Sequence, residues 1–173
     1  MADMHVAPEV LEKLKARFGE MTWQWSEAKH SKTLRLTVSA ASIFDTLKFL
    51  KEECGFDFLA DVTCVDYLYY RGARDRFGLT YVLSNTSNND RLTVRCHLNE
   101  PDLTVPSVQP LWKGANWMER EVFDMFGIHF DGHPDLRRIL LPEGFVGYPL
   151  RKDYPLRGRG ERHNFQRIER RNS

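Results

Sequence analysis

Glu119, Arg120, Glu121 and Asp124 crowd three carboxylates and a guanidinium into one short segment. Acids at such spacing could serve general acid–base chemistry or glycoside hydrolysis. Further on, His129 and His133 are four residues apart, the interval at which two imidazoles on one helix can share a metal ion. Gly127, Gly132 and Pro134 surround them and exclude a helix there, and no HExxH pattern accompanies them. His133 is expected instead to orient a turn or bond a partner. Cys54, Cys64 and Cys96 form no CxxC pair, whereas an iron–sulfur centre takes four ligands, usually in tight local runs. They read as buried small residues. With no pocket-forming motif beside the carboxylates, the first reading of the trio is a helix cap plus surface ion pairs, Arg120 with Asp124 at i,i+4. The second is an interface network, in which buried carboxylates pair with Arg137, Arg138 or an arginine of a partner.

The helix that must carry these groups is well punctuated. Asn116 can cap it, Glu119 stands at the third helical position and Gly127 supplies the stop. At about 100° per residue, Met118, Val122, Phe123, Met125 and Phe126 cover one side, with Arg120, Glu121 and Asp124 opposite. Glu119 falls inside the apolar arc. Upstream, a helix is expected over 8–18 and another from Ser42 to a stop at Gly55, with Asp45 completing a near capping box. Alternation marks strands around Trp23 and Trp25, which read as core residues, then over 34–38, 58–70, 77–83 and 91–98. In the last of these Leu92, Val94, Cys96 and Leu98 face one way. The expected class is α+β: helices packed on a largely antiparallel or mixed sheet, followed by a capped helix and a long extended C-terminal arm. The corresponding divisions are an α+β domain over 1–100, a connector and helix over 101–127, an arm over 128–156 and a basic mobile tail over 157–173.

With 173 residues, 42% of them hydrophobic, the chain can bury a core without disulfides or metals. No apolar run reaches the ~18 residues that would span a bilayer, and the N-terminus, with Asp3 and Glu9, reads as neither signal nor transit peptide. The odd, scattered cysteines suit a reducing cytoplasm. Arginines gather after residue 156, but with few aromatics among them, so a tail that solubilises or touches a neighbouring protein is favoured over nucleic-acid binding.

The arm is the unusual segment. Its prolines and glycines forbid long elements, yet it carries Leu136, Ile139, Leu140, Leu141, Phe145, Tyr148, Leu150, Tyr154 and Leu156. Burying these side chains offsets less than the ordering of the backbone costs. The arm is therefore expected to need hydrogen bonds from a partner. Tyr148, Arg151, Lys152, Asp153 and Tyr154 are candidate anchors, because Tyr and Arg dominate interface hot spots.

Together, Glu119-Arg120-Glu121, Asp124-Met125-Phe126, His133, Arg137 and Ile139-Leu140 resemble the motif of the complex I 30-kDa subunit family. Its members are the C subunit of proton-pumping NADH-quinone oxidoreductase and the J subunit of photosynthetic relatives. The similarity continues through Leu141-Pro142-Glu143 and from Gly147 to Leu156, and more loosely from Asp61 to Tyr67. The resemblance implies an α/β domain with a helix and an extended arm that wraps the D subunit, which forms much of the quinone site, near the cluster-bearing subunits. It implies no catalytic site, cofactor or metal in this chain, with FMN and iron–sulfur clusters in partner subunits. It implies no nucleic-acid partner. Membrane association comes only through the complex, at the cytoplasmic side of the bacterial inner membrane. On that basis Glu119, Arg120, Glu121, Asp124, His133, Arg137 and Arg138 join the five arm residues above as candidate interface positions. Membrane-bound hydrogenases and ferredoxin-fed photosynthetic complexes, which use equivalent subunits, are the alternative setting.

Overall fold

Strand alternation and helix punctuation assemble into one mixed sheet with its helices on a single face. The computed structural model of the chain describes residues 8–18, 22–28 and 31–161. In chain order the elements are α1 (Pro8–Phe18), β1 (Thr22–Ala28), β2 (Ser31–Val38), a 3-10 turn (Ala40–Ser42), α2 (Ile43–Cys54), β3 (Phe58–Asp66), β4 (Phe77–Ser84), β5 (Arg91–Leu98), β6 (Thr104–Pro106), α3 (Ala115–Phe126) and β7 (His129–Asp131). The strands lie in the order β1-β2-β5-β4-β3, with β2 and β5 parallel and the other neighbours antiparallel. The α+β class expected from the alternation is the class found. Trp23 and Trp25 lie on β1, but their side chains are outside the described residues.

The inward face of β5 is the expected set, Leu92, Val94, Cys96 and Leu98. It meets Leu36, Leu79, Tyr81 and Leu83 from neighbouring strands and Ile43, Leu47 and Leu50 from α2 in one continuous core. Full burial of each α2 residue contributes about 1.5–3 kcal/mol. Gly55 closes α2 in the left-handed conformation at φ 76°, donating its N–H to the carbonyl of Leu50. The start of α2 differs from expectation. Ser42 makes no side-chain cap, because it already belongs to the 3-10 turn, and Ser39 caps that turn by accepting the Ser42 N–H.

β3 stops at Asp66 rather than running to Tyr70. The Asp66 carboxylate accepts the N–H of Leu68, and the Tyr70 N–H turns back to the carbonyl of Tyr67. A side chain that competes for local backbone donors ends the ladder. The parallel pair β6–β7 was not expected. Each strand has three residues and a single buried position, Val105 and Phe130, too short for alternation to register. This pair sews the first residues of the arm into the body, with Ile128 and Phe130 inside the core.

Candidate interface with partner proteins

α3 begins at Ala115, so Asn116 is inside the helix and does not cap it. The turn before it leads in without a break, the N–H groups of Ala115 and Asn116 reaching the carbonyls of Trp112 and Lys113. Glu119, with 0% of its surface exposed, therefore reaches outward to the connector instead of back to its own helix. Its Oε2 accepts from Ser107 Oγ at 2.6 Å and its Oε1 from the Val108 N–H at 2.7 Å. Those contacts cap the turn in which Leu111 and Trp112 donate to Val108. Burial pushes the carboxyl up to about 7, and the two hydrogen bonds lower it only in part.

His133 Nδ1 accepts the Asp135 N–H at 3.1 Å, which leaves the ring proton on Nε2 to be donated to the carbonyl of Asn116 at 3.2 Å. The same Nε2 lies 3.9 Å from Glu119. His133 orients a turn, one of its two expected roles, and pins it to the first turn of α3. His129 is exposed on β7.

Asp124 is also fully buried, although the helical wheel places it on the polar side. The arm folds over that side and explains the difference. Arg138 Nη1 donates to Oδ1 at 2.7 Å, and Oδ2 accepts three successive backbone N–H groups, from Ile139 at 3.1 Å, Leu140 at 2.8 Å and Leu141 at 2.9 Å. Burial alone would raise this carboxyl. The donors of Leu141, Leu140, Arg138 and Ile139 outweigh it and hold the group below the usual carboxylate range. The expected Arg120–Asp124 pair does not form, because the arm's donors occupy Asp124. Arg120 donates instead to the carbonyls of Arg137 and Arg138 at 3.1 and 3.3 Å, with its guanidinium over the Trp117 ring.

Further along, Arg138 Nη2 reaches the Gly147 carbonyl at 3.1 Å, and Arg151 Nε reaches that of Phe126 at 2.6 Å. Gly127, at φ 76°, closes α3 and seats Tyr148, whose ring atoms would lie 2.6 Å from any added Cβ. An ion-pair cluster then fastens 151–153. Glu100 bridges Arg151 and Arg76 at 2.8 Å each, Arg76 also pairs with Asp66 and Asp153, and Asp66 accepts the Lys152 N–H. Asp66, Arg76 and Glu100 were not singled out from the sequence. Arg76 sits in a charged loop and Glu100 beside a proline, and no local pattern separates either from ordinary surface charge.

The expectation that the arm takes its hydrogen bonds from outside is thus corrected. The body supplies them, chiefly through Asp124, Asp66 and the carbonyls at the end of α3. Arg137 pairs with exposed Asp135 at 3.0 Å. Glu119, Asp124 and the His133 side chain face inward, so among the candidate positions the outer surface falls to Glu121, Arg137, Lys152 and Asp153. Of the stretch expected to be a mobile tail, 157–161 is fastened by Tyr154 Oη donating to Glu161 at 2.6 Å, and 162–173 lies outside the described residues.

Burial pushes the Cys64 and Cys96 thiols up to about 12, so both are unreactive side chains of the sheet. Among the described residues no group of three or more His, Cys, Asp or Glu side chains is arranged to hold a metal ion, and no helix is long and apolar enough to cross a membrane. What the arm does present is apolar. Leu140, Val146 and Leu150 are 60%, 74% and 51% exposed, and Trp117 projects from α3.

Residues 36–160 match the family described as Respiratory-chain NADH dehydrogenase, 30 Kd subunit. The C subunit of NADH-quinone oxidoreductase from Trichlorobacter lovleyi is 51% identical over 125 residues, 72% of this chain and 76% of that protein. Its counterpart from Geotalea uraniireducens is 41% identical over 158 residues, 91% and 93% of the two chains. Among solved structures, a trypsin-resistant fragment of Nqo5 superposes with a TM-score of 0.67 at 33% identity, covering 76% of this chain and all of the fragment. A chain of an archaeal membrane-bound sulfane sulfur reductase shares the fold, with a TM-score of 0.73 at 23% identity over 96% of this chain and 97% of that one.

Proposed function

Because the chain belongs to the respiratory-chain NADH dehydrogenase 30-kDa subunit family, we propose that it is a non-catalytic, cofactor-free subunit of the hydrophilic arm of a proton-pumping NADH-quinone oxidoreductase. Its task is mechanical: it braces the D subunit, which forms the quinone site, while electrons pass through cluster-bearing neighbours. The complex sits at the cytoplasmic side of the bacterial inner membrane, which this chain reaches only through its partners.

One observation carries the docking role. The arm takes hydrogen bonds for the backbone of Ile139, Leu140, Leu141, Leu150 and Lys152 from the body of its own chain and leaves Leu140, Val146 and Leu150 exposed. Three large apolar side chains left exposed within eleven residues of an ordered segment are what supports an interaction site there. The acidic side chains of the helix hold the arm in shape, and the arm's outer surface meets the partner.

The test is affinity purification of the tagged full-length chain from native membranes, beside a Leu140→Asp/Val146→Asp/Leu150→Asp variant. The wild type is expected to bring down NADH-quinone oxidoreductase subunits, the quinone-site subunit among them, and the variant to lose them while melting as the wild type does. Recovery of hydrogenase subunits would move the chain to a related enzyme. Equal recovery of partners by both proteins would refute the arm as the docking surface. A truncation after Gly127 is unsuitable, since it removes Ile128 and Phe130 from the core.

A further inference from the structure

The helices cover one face of the five-stranded sheet and leave the other to a mostly polar set that includes Val65 and Val82. On that face β5 carries Thr93, Arg95 and His97, and the parallel register sets Arg35 of β2 beside Thr93. Arg95 is held in place: its Nε donates to Thr80 Oγ1 at 3.1 Å, and its guanidinium lies 5.9 Å from the Tyr67 ring centre. Tyr67 in turn sets the edge of its ring against Gly78, where an added Cβ would come within 2.7 Å of it.

The two cations lie on a diagonal across β2 and β5, Arg35 beside Thr93 and Arg95 beside Thr37, in a partly dry setting. Burial lowers the Arg95 pKa first, and the Arg35 charge lowers it further against the opposing effect of Tyr67. Buried Nε of Arg35 and buried Nδ1 of His97 have no hydrogen-bond partner among the described residues. None of the described carboxylates forms an ion pair with Arg35 or Arg95. Asp61, on the same face, is separated from Arg35 by Val82 and Thr93 in register, about 14 Å at ~4.8 Å per strand. Two neighbouring guanidiniums with no counter-charge among the described residues are stabilised by a ligand that brings carboxylates.

We infer that this uncovered face is a docking surface for an acidic segment of a partner polypeptide, with a carboxylate seated between Arg35 and Arg95. A single-stranded nucleic acid fits less well. It would need a run of free rings along the sheet on which to stack its bases, whereas Tyr67 is engaged by Arg95 and Tyr70, and the exposed Tyr69 and Tyr70 stand in the turn after β3 rather than on the sheet. The surface is distinct from the outward row of the arm, and the inference rests on the proposed place in a complex in requiring a partner at all.

The experiment uses the purified complex carrying Arg95→Lys, and separately Arg35→Lys, each of which keeps the charge and adds a reactive amine. Zero-length carbodiimide coupling followed by mass spectrometry should join position 95 or 35 to an Asp or Glu of another subunit. Arg95→Gln, which leaves a Thr80 hydrogen bond possible, should lower recovery of that same subunit about tenfold at moderate salt. An intact complex in which native lysines couple between subunits, while positions 35 and 95 couple to nothing or only to Asp61, overturns the inference and leaves the proposed function standing. A nuclease-sensitive polynucleotide in the purified complex, lost on Arg95→Gln, overturns it in favour of nucleic acid. A wild-type chain that purifies alone overturns both.

Discussion

Glu119 and Asp124 stand at two ends of one short helix, both removed from solvent, and their acidities move in opposite directions. Glu119 meets one hydroxyl and one backbone N–H, and burial prevails. Asp124 meets a guanidinium and three backbone N–H groups, and the donors prevail. Glu119 is the more deeply desolvated of the two and Asp124 the richer in donors, and both differences push the acidities apart. Asp124 is a fixed anion around which the arm is wound. Glu119 is a buttress between helix and connector that gives up its proton only near neutrality.

The contrast breaks most visibly at Asp124. Asp124→Asn removes the charge from a buried pair and weakens the site of three N–H groups, at a cost of about 3–5 kcal/mol. It should lower the urea midpoint and open the chain after Arg138 to trypsin, and a midpoint within error of the wild type would refute the clasp. Of the two readings the sequence leaves open for this position, surface ion pair or buried carboxylate paired with Arg137 or Arg138, the structure has the Arg138 pair. Next in size is Glu119→Gln. Its folded pKa of about 7 stands above the ordinary 4.5, so its contribution is complete below about 4.5 and lost as pH rises through about 7. Wild-type stability should fall across that window by on the order of 3 kcal/mol, and the glutamine variant should flatten the fall, as read from urea midpoints at stepped pH. Asp124 has the opposite sign: its contribution is present above its ordinary pKa and lost as pH falls through the lowered one, so the acid limb should survive in Glu119→Gln. Arg138→Lys keeps the charge at Asp124 but surrenders the fork that also holds the Gly147 carbonyl, and should cost about 1–2 kcal/mol in urea unfolding. Smallest is Glu121→Ala. The residue is exposed, so stability should stay within ~0.5 kcal/mol while recovery of partner proteins drops; unchanged recovery would make it an ordinary surface charge.

How far the sequence carried differs from element to element. α2 was legible because its apolar positions, its stop at Gly55 and its length agree with one another. Glu119 was legible as a carboxylate inside an apolar arc. Asp124 was legible only as the second of two readings, a buried carboxylate paired with Arg138, because periodicity reports which helical face meets the sheet and is silent about an irregular segment laid over the opposite face. Arg76 and Glu100 owe their roles to contacts separated by tens of residues, which no window can contain. The arm itself was recognised as unusual from its apolar content, but weighing side chains against backbone entropy left out the donors and acceptors that the body provides.

That the arm is folded before any partner arrives has a kinetic meaning. A segment that orders on contact carries its conformational entropy into the association step and shows a large negative heat-capacity change there. A prefolded one meets its target as a rigid surface, with a heat-capacity change reflecting only the interface. Its encounter rate then falls in the ordinary range of about 10⁵–10⁷ M⁻¹ s⁻¹, and dissociation sets how long the two stay together.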